Sequence, residues 1–168
     1  MLFNPHRQMT FANFESRPGS VHARSAGARF ASCQGIVCCE PVLILAGRKG
    51  AGKTHLLHAT ANLARSNEHV HSDITISANR LGEEIQRAGE YGDLPCWLKR
   101  FSGADFLAVD DVDDFFCRPV AADFLLQVLR LRADSRRRTL LSATLTTAQE
   151  KACALNTFLN HQTAVRLI

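Results

Sequence analysis

A chain of 168 residues, 46% apolar and 21% charged, has the size and composition of a single globular domain with its own core. Its net charge of +4 is too small to argue for a nucleic-acid partner, and no apolar run approaches the ~20 residues of a membrane helix. The opening MLFNPHRQMTF lacks the charged-then-apolar order of a secretory signal, so a cytoplasmic protein without membrane contact is expected. Six cysteines, at 33, 38, 39, 96, 117 and 153, show neither C-x-x-C spacing nor a zinc-type histidine pair and read as reduced thiols.

Residues 1–40 are weakly patterned: MTFANFESRPGS leads into VHARSAGARFASCQ, a helix with small residues on one face. From 41 to 168 strands and helices alternate clearly, and the whole forms one domain. PVLILAG is an uninterrupted apolar strand between Pro41 and Gly47, suited to a parallel sheet covered on both faces. KTHLLHATANLARS follows at helical spacing. SDITISA then alternates as a strand, NRLGEEIQRAGEY is an amphipathic helix, Gly92 and Pro95 break the pattern, and CWLKRF is a short helix. DFLAVDD is a buried strand, AADFLLQVLRLRADS a helix, and Arg136 to Arg138 a solvated charge run before the strand TLLSATL. A last strand falls in TAVRLI. Strands alternating with helices predict an α/β three-layer sandwich around a five-stranded parallel sheet.

The turn after the first strand carries the chemistry. Gly47-Arg48-Lys49-Gly50-Ala51-Gly52-Lys53-Thr54 satisfies G-x-x-x-x-G-K-[ST] between a buried strand and a helix. Its glycines allow a tight turn whose N–H groups face phosphate, Lys53 supplies an ammonium, and the Thr54 hydroxyl can ligate Mg²⁺. Gly47, Lys49, Gly50, Ala51, Gly52, Lys53, Thr54 and His55 are therefore the expected contacts of ATP or ADP. The second element is FLAVDD: Asp110 at a strand's carboxyl end is placed to hold Mg²⁺ through water, and Asp111 to orient a water or act as base. Two acids there, with Asp113 and Asp114 following, also suit a plain solvated turn.

TFANF, GAGKTHLLHA, ISANRLGEEI and WLKRFSGADFLAVDD together resemble the AAA+ domain of the bacterial replication initiator DnaA and its shorter relative Hda, nearly from Thr10 onward. The resemblance implies a P-loop NTPase of the AAA+ base type, with ATP and Mg²⁺ at Gly52, Lys53, Thr54 and Asp110 and with Asp111 in hydrolysis. It implies Phe11 and Phe14 near the adenine. It also places Trp97, Lys99, Arg100 and Phe101 where relatives build a filament and touch single-stranded DNA. On spacing alone, Trp97 and Phe101 share a helical face and equally suit a core, with Lys99 and Arg100 solvated.

The chain departs from that pattern at two positions. Thr144 ends the fourth strand where most AAA+ proteins carry Asp or Asn, and a hydroxyl has less charge and shorter reach. Phe158 stands where the initiator family has an arginine that reaches the neighbouring subunit's ATP, a group worth ~10³ to 10⁵ in turnover when supplied in trans. With the chain ending at Ile168, no helical lid and no helix-turn-helix domain are expected. The expectation is an ATP-binding module in replication initiation or its regulation, with weak hydrolysis at most, contacting an initiator, a sliding clamp, a helicase or DNA, and capable of homo-oligomerising. A non-catalytic interaction module and a helicase-loader ATPase of the DnaC type are the alternatives.

Overall fold

The computed structural model describes residues 4–33, 41–144 and 164–167, with positions 116, 117 and 164–167 described as backbone alone. The helix α1 (Val21–Ser32) precedes the strand β1 (Val42–Gly47) and the helix α2 (Lys53–Arg65). Then follow β2 (Asp73–Ser77), α3 (Ala78–Tyr91), α4 (Leu94–Gly103), β3 (Phe106–Asp110), α5 (Pro119–Asp134), β4 (Arg138–Thr144) and β5 (Ala164–Leu167). All five strands are parallel, in the order β2-β3-β4-β1-β5. Pro95 does not interrupt a helix but sits in the first turn of α4, where its missing N–H costs nothing.

The sheet separates two apolar layers, and strand alternation decides which residue enters which. Val42, Ile44 and Ala46 of β1, with Leu107 and Val109 of β3, pack under α3, α4 and α5. Leu43 and Leu45, with Phe106 and Ala108, pack under α1 and α2. Every residue of β1 and of β3 is buried, because both faces are covered. In this register Gly47 lies opposite Thr144 and Ser77 opposite Asp110. The carboxyl ends of β1, β3 and β4 thus share one edge of the sheet.

At the opposite edge, the run Arg136 to Arg138 is not uniformly solvated. Arg138 Nη1 donates to the carbonyls of Phe30, Ala31 and Cys33, satisfying the C-terminal turn of α1, and its guanidinium lies 5.6 Å from the Phe106 ring centre. Arg137 donates to Gly103 O and pairs with Asp105 at 3.2 Å. Burial alone would raise the Asp105 carboxyl. Hydrogen bonds from the Ser72 hydroxyl and from the Ser72 and His71 amides, together with Arg137, outweigh burial and hold it below the usual carboxylate range. Arginines reach helix-end carbonyls that a sequence-level charge run does not reveal.

Arg132 is fully buried in α5. Its Nη1 donates to Phe101 O at 2.8 Å and Ala104 O at 2.6 Å, Nη2 to Arg138 O at 2.6 Å, and Nε to Thr139 Oγ1 at 2.8 Å. Burial, reinforced by Arg137 and opposed by Asp105, pulls its pKa down to about 9, which leaves it charged at neutral pH. Arg132→Met keeps the aliphatic stem and strips these donors from buried carbonyls. We expect it to cost about 3 kcal/mol or more in urea denaturation; a loss under about 1 kcal/mol would show that water replaces the guanidinium.

Candidate functional site

The turn from β1 into α2 is built by two left-handed glycines, Gly50 at φ 80° and Gly52 at φ 90°. Gly52 is also crowded: a Cβ there would come within 2.9 Å of Phe14 Cε2. Ala51 N donates to Arg48 O at 3.2 Å, and Leu56 N to Gly52 O at 2.9 Å as α2 begins. Lys53 is buried at the head of α2, its Nζ donating to Arg48 O at 3.2 Å.

A cavity of about 650 Å³ opens over this turn, lined by Met9, Lys49, Gly50, Gly52, Lys53, Thr54, His55, Asp111, Asp113, Asp114 and Thr144. Its size is that of a small-molecule site, and ammonium, hydroxyl and carboxylate groups converge on it at a helix N-terminus. Of the expected contacts, Gly47 and Ala51 stand back from the cavity. Gly47 closes β1, and Ala51 packs on the layer beneath α1 and α2. A depression of similar volume, about 680 Å³, lies between α3 and the start of α5, with mainly apolar walls and no comparable gathering of phosphate-type donors.

Asp110 is buried at the end of β3, its Oδ1 accepting a hydrogen bond from the Ser142 hydroxyl. Asp111 leaves the strand in a left-handed conformation, φ 54° and ψ 52°, and its N–H donates to Ser142 Oγ at 2.9 Å. Burial, with like charge from Asp110 and Asp113 and against the pull of Lys53, raises the Asp111 carboxyl above its ordinary value. Asp113 Oδ1 accepts from Thr144 N at 2.8 Å. Thr54 and Asp110 make an all-oxygen donor pair, which suits Mg²⁺, and Asp110's recessed place fits a carboxylate acting through water.

The N-terminal segment straps itself along one face of α2. His6 N donates to His58 Nδ1 at 3.1 Å, and Asn62 Nδ2 donates to His6 O at 2.9 Å and Met9 O at 2.8 Å. His55 Nε2 donates to Thr10 O at 2.9 Å. The strap carries Met9 to the cavity rim and sets the Phe14 ring 5.3 Å from His55. Phe11 instead lies beside Gly27 in α1. The helical spacing of His55, His58 and Asn62 was the only sequence trace of this arrangement.

In α4, Trp97 stacks on the fully buried Phe101 at 5.6 Å, and Arg100 sits 5.8 Å from the Trp97 ring centre. Lys99 is exposed. Of the two readings of this helix, the core-facing one describes Trp97 and Phe101, while Arg100 covers the indole. Phe158 lies outside the described residues.

With this geometry in view, the family model described as the bacterial DnaA ATPase domain matches residues 6–161. The chain belongs to the bacterial DnaA ATPase domain family. A similar relative is the chromosomal replication initiator protein DnaA of Bdellovibrio bacteriovorus, 30% identical over 138 residues, which are 81% of this chain and 29% of that protein. The matched region spans 24% to 29% of the length of the curated relatives. Domain III of the Thermotoga maritima replication initiation protein DnaA has the same fold, with a TM-score of 0.87 at 21% identity over 98% of this chain and 68% of that one. So does a replication initiator DnaA bound to AMPPCP and single-stranded DNA, with a TM-score of 0.82 at 18% identity over 99% of this chain and 51% of that one. Among the described residues no helix is long and apolar enough to cross a membrane.

The strap gives the ligand-free protein a pH dependence. Burial, helped by His6 and His55 and opposed by Asp110, lowers the His58 pKa from 6.5. The unfolded imidazole therefore takes up a proton first, so stability is lost as the pH falls below about 6.5 toward the folded value. We expect the urea midpoint to fall between pH 7.5 and 5.5, and His58→Gln to flatten that fall; an unchanged slope in the variant would assign the effect to other groups.

Proposed function

We propose that this chain is an ATP-binding AAA+ module of the replication-initiation machinery that holds ATP or ADP with Mg²⁺ and hydrolyses ATP slowly. The observation that carries the reading is the convergence, on one sheet edge, of the left-handed glycine turn, Lys53 and Thr54 with the acidic end of β3 and the end of β4. The family supports the nucleotide, and the initiator structure with AMPPCP and single-stranded DNA supports both nucleotide and replication context.

In this reading the N–H groups of Lys49 to Thr54 and the positive end of α2 bind the phosphates. Lys53 neutralises charge as the terminal phosphoryl group departs, exchanging its bond to Arg48 O for phosphate oxygen. Thr54 and Asp110 would hold Mg²⁺, which supplies charge stabilisation when bound. Asp111, its carboxyl raised above its ordinary value, orients the attacking water and accepts its proton, and Thr144 holds a position at the end of β4 to sense the outcome. Met9 and Phe14, rather than Phe11, stand nearest the site as walls for the base.

Partners follow the same reading: an initiator, a clamp, a helicase or DNA, in the bacterial cytoplasm, with homo-oligomerisation open to the chain. Contact with single-stranded DNA would rest on Lys99 and Arg100, because Trp97 is already stacked on one side and covered by Arg100.

Equilibrium binding of ATP and ADP with Mg²⁺ tests the reading. Micromolar affinity is expected, weakened at least tenfold by Lys53→Ala, together with a thermal stabilisation of about 2.7 kcal/mol when ligand stands at 100 times its Kd. Equal binding by both proteins, or by neither, would remove the site. A second outcome separates holding from hydrolysis. Asp111→Asn should abolish phosphate release yet modestly stabilise the ligand-free protein at neutral pH, since a carboxyl with a raised folded pKa destabilises the fold once ionised. A less stable variant would contradict that assignment.

A further inference from the structure

Ser142 is a lone hydroxyl in the interior of the otherwise apolar stretch Leu140, Leu141, Ser142, Ala143 of β4, and it is fully buried. A buried hydroxyl is costly unless its proton and an acceptor lone pair are both engaged. Here both are. The proton goes to Asp110 Oδ1, and a lone pair accepts the N–H of Asp111 at 2.9 Å. One oxygen atom therefore touches the side chain of one acid and the backbone of the next.

The position of these two acids makes the bridge consequential. Asp110 is the last residue of a buried strand, and the Ser142 hydroxyl donates to its carboxylate. Asp111 is one of two non-glycine residues with positive φ among the described residues, a conformation that persists only where neighbours hold it. A second tie crosses the same gap, from Thr144 N to Asp113 Oδ1 at 2.8 Å. Thus β4 grips the acidic turn on both sides of Asp111, and Ser142 is the point of grip that touches both acids.

We propose that Ser142 is a positioning residue that sets the Asp110 carboxylate and the Asp111 turn as one unit, so that the Mg²⁺-holding group and the water-orienting group take up their places together. The inference rests on the nucleotide reading above and adds to it a residue outside the phosphate loop and outside the acidic pair. Ser142 touches neither phosphate nor metal; it acts through Asp110 and Asp111. The hydroxyl that orients the Asp110 carboxylate is the one that accepts the Asp111 amide, so a change at either acid would be felt at the other.

Two measurements on the full chain test this. In ligand-free protein, amide hydrogen exchange followed by NMR reads the Asp111 N–H, which is protected by Ser142 Oγ and is expected to lose that protection in Ser142→Ala. Titration of Mg²⁺ against ATP binding is the second. Binding in excess EDTA should be the same in wild type and Ser142→Ala, while the Mg²⁺ concentration for half-maximal strengthening should rise at least tenfold in the variant. Ser142→Thr, which restores the hydroxyl, should return both readings toward wild type. Ser142→Cys, close to serine in volume but a poor hydrogen-bonding group, decides the matter if the alanine variant does not fold. Wild-type Mg²⁺ dependence and a protected Asp111 amide in the alanine or cysteine variant would overturn the proposal. A wild-type chain that binds no nucleotide would instead overturn the functional reading, and this inference with it.

Discussion

The parallel register of β1, β3 and β4 is the constraint from which the rest follows. Because Gly47 is paired opposite Thr144 and Val109 opposite Leu141, β1 and β4 end together while β3 ends about level with Ser142, and all three release their next residues at the same end of the sheet. That register needs both faces of the sheet covered, which the two apolar layers provide through strict alternation along β1 and β3. A one-residue slip in β4 would turn Ser142 away from Asp110 and place Leu141 or Ala143 against it. Site and core are specified by the same pairing.

Within that edge, the charges oppose one another. Asp110, Asp111, Asp113 and Asp114 crowd a short turn, and only Lys53 acts on Asp111 with the opposite sign among the charges that perturb it. Repulsion is contained in three ways: recession of Asp110 into the strand end, a raised carboxyl at Asp111, and the engagement of Asp113 by a backbone amide. The arrangement gives up some stability in return for unscreened negative charge beside a phosphate-type turn, and a cation bound there would relieve it.

Much of the fold was legible from residue patterns because its signals are local. The apolar run VLILAG, the G-x-x-x-x-G-K-T turn and the FLAVDD strand each carry their own boundary markers, and each lies where the patterns put it. The arginines were not legible. Arg137 and Arg138 read as solvated charge and Arg132 as one residue of a helix, yet all three answer carbonyl groups at the ends of α1 and α4 that only tertiary structure brings near. The same reason hid Ser142 and the strap on α2. A hydroxyl or an imidazole carries no periodicity of its own, and its partner is a backbone group far away in the chain. Lys53, Thr54, Asp111 and Thr144 were legible and do meet at one cavity, whereas Met9 and Asp113 became part of it only through hydrogen bonds to distant segments.

The strap also makes the amino-terminal segment and the phosphate turn mechanically continuous. His55, next in the chain to Thr54, holds Thr10 O, and about one and two helical turns further His58 and Asn62 hold His6 and Met9. The bonds made by His6, Met9 and Thr10 thus reach α2 directly, without passing through the sheet. The segment thereby acts as a handle on the very helix whose start forms the cavity floor, so a shift of residues 6–10 and a shift of that floor are one movement.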